Sequence, residues 1–441
     1  MPDIAIIGSG AAGSTAAWRL RRLLGPQAAI HVFEKEPAVG GRAHHIEFAG
    51  ERVELGGTLI HTDNRRLIEL ARDLGVPLID RSGGAEGDLV LWDGRRALLR
   101  SPLAGVRLPA ALIRRYGPFN LLRLRRLARQ AKAAWNSVYG LQDAGRVFGR
   151  PEELLDAAGL SPYVGVSLDD LAARRRIARP LVEEFVTGVL RDMYNQTSGI
   201  VALSGLVALA GAGLAGGKLV AARDGNATLF EAALKDADAE TRLGAAVAQV
   251  ASSPQGALVT VAGEAPRRFD AVLVAAPLEL AGIEIAGRDG EPAAPDLGRR
   301  YQDVHTTVVA GEVDPGFFGG PAAPDDVVTV DRPGIGFKAF GRTGYSRALG
   351  VPIWKFFSGD PIADDVLESV FRGVKAVHRH LWRAYPVLVP APRFRPFRLA
   401  PGVYQVNDFE SAVSTLETQA TAGWSVADLA ARDLVDLAIE T

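Results

Sequence analysis

Apolar and polar positions along the chain change period several times, and each change marks a new element. Asp3-Ile4-Ala5-Ile6-Ile7 is a short apolar run, followed by a glycine turn and a stripe through Ala16, Ala17, Leu20, Leu23 and Leu24 at helical spacing. His31-Val32-Phe33-Glu34 completes strand, turn, helix, strand, which is a βαβ unit. Residues 44–54 alternate with period two and turn at Ala49-Gly50, predicting two short antiparallel strands. Helices are predicted over about 64–74 and 167–193, the second opening on Ser167-Leu168-Asp169-Asp170 as cap and first turn. Strand-like stretches recur at 245–251, 257–262 and 271–276, and again throughout 304–357. The remaining pattern predicts a helix from about Asp364 to Tyr385, a strand at Val403–Val406 and a closing helix from Thr418 to Glu440. No internal repeat interrupts this order.

Composition refines the picture in three places. Between Gly94 and Gln142 there are ten arginines and Lys132 with no acidic residue, which reads as a separate helical insertion. Its leucines at 121, 122, 124 and 127 fit two uses: a solvated cap packed on the substrate domain, or a helix lying on a membrane surface. From Thr197 to Gly217 no side chain is charged, but glycine, alanine and serine dominate, so a buried helix near a cofactor suits the stretch better than a membrane span. There is no cysteine, which removes disulfides, zinc–thiolate sites and a thiol nucleophile, so redox chemistry here needs a borrowed cofactor. The formal net charge of -1 gives the whole molecule no bias toward nucleic acid. The sequence opens directly into a strand with no basic leader or apolar signal stretch ahead of it, so a cytoplasmic protein is expected, with membrane association left to the basic insertion.

The chemistry begins at Gly8-Ser9-Gly10-Ala11-Ala12-Gly13, set between an apolar strand and an amphipathic helix. Gly8 makes the turn, Gly10 lets backbone approach a diphosphate, and Gly13 lets helix lie close to strand. Glu34, at the end of the next strand, is placed for ribose hydroxyls and disfavours a 2′-phosphate. Val39-Gly40-Gly41-Arg42 and Glu54-Leu55-Gly56-Gly57 follow, and Arg42 offers a forked cation to a diphosphate. In this order the motifs resemble the FAD-dependent amine-oxidase-like flavoproteins. The resemblance extends to Arg223-Asp224-Gly225-Asn226, to Ala275-Ala276-Pro277 and to Ser414-Thr415-Leu416-Glu417. It implies an α/β fold: a Rossmann-type FAD-binding domain from 1–85, 222–285 and 395–441, and a mixed substrate domain from 86–221 and 286–394 carrying a helical insertion at about 94–200. It further implies that FAD is held by Gly8, Gly10, Ala12, Gly13, Glu34, Lys35, Gly41, Arg42, Gly57, Thr58, Val247, Ala276, Ser414, Thr415 and Leu416. No metal is expected.

Within that superfamily the chain resembles the prenylcysteine oxidase (prenylcysteine lyase) group over nearly its whole length. Gly56-Gly57-Thr58-Leu59-Ile60-His61, Met193-Tyr194-Asn195-Gln196-Thr197, Tyr301-Gln302-Asp303-Val304-His305-Thr306-Thr307, Trp354-Lys355-Phe356-Phe357-Ser358 and Ala384-Tyr385-Pro386 carry that likeness. It implies hydride abstraction from the carbon beside a prenyl thioether sulfur, water addition, collapse to aldehyde and thiol, and reoxidation by dioxygen. The substrate would then be a hydrophobic thioether, amine or allylic compound. His61, Lys355, Tyr194 and Gln196 are the candidate catalytic side chains, with Trp382 and Tyr385 as an apolar wall. His61 and His305 fit equally the part of hydrogen-bonded core histidines, and Lys355 that of a snorkelling structural lysine. A desaturase, isomerase or cyclase in isoprenoid or polyketide biosynthesis, and a non-catalytic flavin- or lipid-binding protein, stay open on the residues alone.

Overall fold

The computed structural model describes residues 1–81, 88–102 and 107–440. The division expected between residues 85 and 86 lies outside them. At the centre is a parallel sheet in the order Glu240–Arg242, Ala29–Phe33, Asp3–Ile7, Ala271–Val274, Val403–Gln405, with Arg398–Ala400 antiparallel at one edge. The register pairs Ile4 with Ala271 and Ile6 with Leu273. Ile4 and Ile6 are fully buried, as expected for a strand covered on both faces. One cover is α1 (Ala11–Leu24) packed on the closing helix Leu416–Glu440. Arg19 pairs with Asp428 at 2.7 Å across that contact.

The strands His45–Phe48 and Glu51–Glu54 form the expected hairpin, with Ala49 and Gly50 at φ 53° and 79° in its turn. Then α2 (Arg65–Asp73) runs beneath the closing helix. A separate seven-stranded sheet follows, in which the 13-residue strand Tyr301–Val313 lies between Val351–Ser358 and Phe371–Pro386. Over it and beside the cofactor domain pack α3 (Arg107–Tyr116), α4 (Pro118–Asp143) and the shorter helices to Leu209. Ser167 does cap its helix, its hydroxyl accepting from the Asp170 amide at 3.0 Å.

Two expectations are corrected. The stretch Asp364–Tyr385 is helical only at Asp364–Val370, and Phe371–Pro386 is a long edge strand. Val374, Val377 and Leu381 mimic helical spacing, but exposed Arg379, Leu381 and Arg383 alternate with half-buried His378, His380 and Trp382, the period of a half-covered strand. The basic insertion is not helical from its start, because Ala97–Pro102 pairs with Asp88–Trp92 as a strand. The uncharged stretch forms the buried helix Ala202–Leu209, and no helix among the described residues is long and apolar enough to cross a membrane.

Candidate active site

Glycine-rich backbone gathers at the carboxyl end of the parallel sheet, where open α/β sheets bind their ligands. Asp3–Ile7 ends in the Gly8–Gly13 turn, and α1 starts at Ala11 with no side chain capping it, so its first amides can receive an anion. Gly13 is required there, since a Cβ would overlap the Gly8 carbonyl oxygen. The Val39–Arg42 loop docks on this turn, the Gly40 amide donating to the Ser9 carbonyl at 3.3 Å. Buried Glu34 accepts from the Ser9 amide (2.9 Å) and hydroxyl (2.7 Å) and from the Glu36 amide (3.0 Å). A carboxylate offers about four lone-pair positions, so Glu34 locks the turn and keeps capacity for a ribose hydroxyl. Lys35 beside it is exposed, Ala12 is buried under the closing helix, Val247 is buried on its strand, and Ala276 is half-buried just past the end of Ala271–Val274.

The other end of the groove is where Gly57 meets the start of the closing helix. A Cβ on Gly57 would come within 3.0–3.1 Å of three side-chain atoms of Leu416. Asn226 fixes this approach: its Nδ2 donates to the Gly57 carbonyl at 2.8 Å, its Oδ1 accepts from the Ala222 amide at 2.9 Å, and its own amide donates to Glu54 Oε1 at 2.8 Å. Ser414, Thr415 and Leu416 are half-buried between buried Val413 and Glu417, and therefore line an interior surface. An uncapped helix start, a ribose-range carboxylate with spare acceptor capacity and this interior lining opposite Gly57 fit FAD laid from the glycine turn inward.

Beyond Thr58 the chemistry concentrates. Lys355 Nζ donates to Thr58 Oγ1 at 2.8 Å and to the Glu54 carbonyl at 3.0 Å, which leaves one of its three protons uncommitted. Burial lowers Lys355 from 10.5 to about 8, against the opposing pull of Glu54 and Asp192. Asp192, on the last turn of the helix Thr187–Tyr194, lies deep in the protein yet keeps part of its surface accessible, and burial raises it to about 6 against the pull of Lys355. It forms no hydrogen bond or ion pair with the described residues. Asp326, on the facing strand, is raised to about 7 by burial and by the charges of Asp192 and Asp325. Tyr194 and Tyr385 meet edge to face at 5.4 Å, with Trp382 6.4 Å beyond, and burial pushes both phenols up, so they stay neutral. Tyr194 is fully buried, so it backs the half-buried rings of Tyr385 and Trp382, which keep the accessible aromatic surface. Among the described residues no cluster of metal-ligating side chains occurs.

Two sequence-derived roles, those of His61 and Gln196, change. His61 Nε2 lies 3.0 Å from the Gly216 carbonyl while its Nδ1 accepts from the Asp63 amide at 3.1 Å, and burial lowers its pKa. Both nitrogens are committed, so neutral His61 closes the 216–217 loop and is not a free base. Gln196 donates from Nε2 to the Pro386 carbonyl (3.1 Å) and accepts at Oε1 from the Leu388 amide (2.9 Å), which positions the Tyr385 strand end. Arg42 donates to the Ala384 carbonyl at 2.8 Å and to buried Glu410 at 2.6 Å, which anchors the guanidinium and commits two of its five N–H groups. Sequence reasoning missed Asp192, Asp326, Glu410 and Glu417. A sequence signal existed for the last two, acidic residues on either side of the start of the closing helix at Leu416; for Asp192 there was none, because a carboxylate at a helix end is ordinarily solvated.

Comparison with known proteins agrees with this geometry. Residues 108–438 match the family model described as prenylcysteine lyase, and residues 6–74 match that of an NAD(P)-binding Rossmann-like domain. The chain is 28% identical to farnesylcysteine lyase of Arabidopsis thaliana over 97% of its own length and 87% of the relative's. It is 26% identical to prenylcysteine oxidase 1 of Bos taurus, covering 97% and 88%. In fold it is similar to cyclohexylamine oxidase from Brevibacterium oxydans, with TM-score 0.68 at 18% identity over 98% of this chain and 99% of that one. Putrescine oxidase superposes with TM-score 0.65 at 15% identity, covering 99% of both chains.

Proposed function

This chain belongs to the prenylcysteine lyase family, and from that premise we propose that it is an FAD-dependent oxidase cleaving a prenylated or similarly lipophilic thioether at the carbon beside sulfur. The observation that carries the reading is the buried Lys355 hydrogen-bonded to Thr58, next in sequence to the Gly57 that approaches Leu416, with the Asp192 carboxylate near enough for its charge to act on Lys355 and on Tyr385. FAD held by the groove supplies a hydride acceptor. Half-buried Tyr385 and Trp382 take the apolar chain and exclude water from most of the site, as an apolar pocket with few polar groups does. Lys355, anchored through Thr58 and the Glu54 carbonyl, offers its remaining proton to that site and holds a water there. Asp192, ionised above pH about 6, takes the proton released when water adds to the electron-deficient carbon. Collapse of the resulting hemithioacetal gives an aldehyde and a free thiol. Dioxygen is the proposed final electron acceptor.

The test is a visible spectrum of the purified protein followed by oxygen uptake with farnesylcysteine. A flavin spectrum, oxygen consumption and released farnesal are expected. A yellow protein whose reduced form reoxidises slowly in air and which leaves farnesylcysteine intact would replace this reading with a desaturase or isomerase.

A further inference from the structure

One face of the molecule is left unexplained by folding or by the reaction. On α4 the buried side is Leu121, Leu124, Leu127, Ala128, Ala131 and Trp135, which supplies the packing that an amphipathic helix needs. The opposite side carries Phe119, 72% exposed, and Leu122, 64% exposed, continuing at helical spacing into Arg126 and Arg129. Ile113 and Arg114, at the end of α3, extend the same combination of exposed apolar and basic side chains. Arg114, Arg125, Arg126 and Arg129 form no ion pair with the described residues, whereas the neighbouring Arg115 and Lys132 are paired with Glu184 and Asp63.

We propose that this α3–α4 face docks the protein on an anionic phospholipid surface. The charge is local, since the molecule as a whole carries -1. Protruding phenylalanine, leucine and isoleucine among unpaired arginines match the acyl–headgroup boundary, where apolar side chains insert while cations meet lipid phosphates. Nucleic acid offers those apolar side chains no burial. A second copy docked two-fold on this face would bring like-charged arginines together. The face also leads toward the site: Lys132 of α4 donates to the Ala215 carbonyl at 3.3 Å, the 216–217 loop closes on His61, and exposed Met193 and Leu59 lie on the segments beside it. A lipophilic substrate dissolved in the bilayer would thus be presented near the apolar wall. That benefit rests on the proposed thioether substrate, but the docking itself does not.

The experiment is co-sedimentation of the flavin-loaded protein with vesicles of phosphatidylcholine alone and of phosphatidylcholine with phosphatidylglycerol, at low and high salt. Binding is expected only to the anionic vesicles, weakening with salt, and lowered on the order of tenfold or more in R126E/R129E and in F119D/L122D. Both variants change exposed side chains and should keep the wild-type flavin spectrum and melting midpoint. No sedimentation with anionic vesicles, equal partition of the variants, or a dimer or DNA complex that the same substitutions abolish while lipid binding is missing would overturn the proposal. Vesicle binding without oxygen uptake would instead sink only the proposed reaction.

Discussion

Asp192 and Lys355 are costly residues to place where they are, since each is held away from water in its less favoured state. Replacing Asp192 with asparagine keeps the shape and removes the base. D192N is expected to lose about 100-fold in kcat with an unchanged flavin spectrum, and wild-type activity should fall as pH drops below about 6, the value to which burial raises this carboxyl. A pH profile of D192N retaining the same acid limb would show that another group is responsible. For Lys355 the sign is opposite. Its folded pKa of about 8 lies below the ordinary 10.5, so between these values the unfolded chain binds a proton that the folded one does not, and stability rises with pH. The stability of the wild type relative to K355M, read by urea unfolding, should therefore rise across that window by up to about 3 kcal/mol. The K355M enzyme should bind flavin and turn over poorly.

At the scale of elements, the closing helix packs on α1 and α2 and is tied to α4. Glu417, one residue past the helix start at Leu416, accepts from the Arg66 and Leu67 amides of α2 (2.8 and 3.0 Å) and from the Tyr139 hydroxyl of α4 (2.7 Å). Burial raises its carboxyl to about 7 against the pull of those donors. Tyr139 in turn accepts from Trp135 Nε1 at 2.8 Å, so one carboxylate holds three helices in register. E417A leaves two amides and the Tyr139 hydroxyl proton buried without an acceptor and should cost about 3 kcal/mol, visible as a lowered denaturation midpoint and weaker flavin retention. G57V tests the other contact of the same helix start. Its side chain meets Leu416, so the apoprotein is expected to fold and to purify without bound flavin.

On the scale of the whole molecule, the cofactor groove is assembled from stretches far apart in the chain: residues 8–13, 34–58, 223–226 and 414–416. FAD should therefore act as a cross-link, stabilising the deflavinated protein by about 2.7 kcal/mol at a free concentration 100 times its Kd; a calorimetric midpoint that does not move on adding FAD would contradict this assembly. The βαβ unit, the hairpin at Ala49-Gly50, the Ser167 cap and the glycine turns were legible in the sequence because each depends on neighbours within a few residues: a period, a cap, a backbone angle only glycine adopts cheaply. The family likeness was legible for the same reason, being carried by short motifs. What the chain could not reveal alone was set by partners hundreds of residues away. Phe371–Pro386 became a strand because Tyr301–Val313 offers it a ladder, overriding apolar spacing that suits a helix. Arg42 was anchored by Glu410, His61 was taken up by Gly216, and Asp192 was carried inward on a helix end to where the Lys355 charge acts on it. Local sequence determines which conformations and chemistries are available, whereas burial and electrostatic pairing, which fix the charge state and freedom of each side chain, exist only once the tertiary structure has brought the partners together.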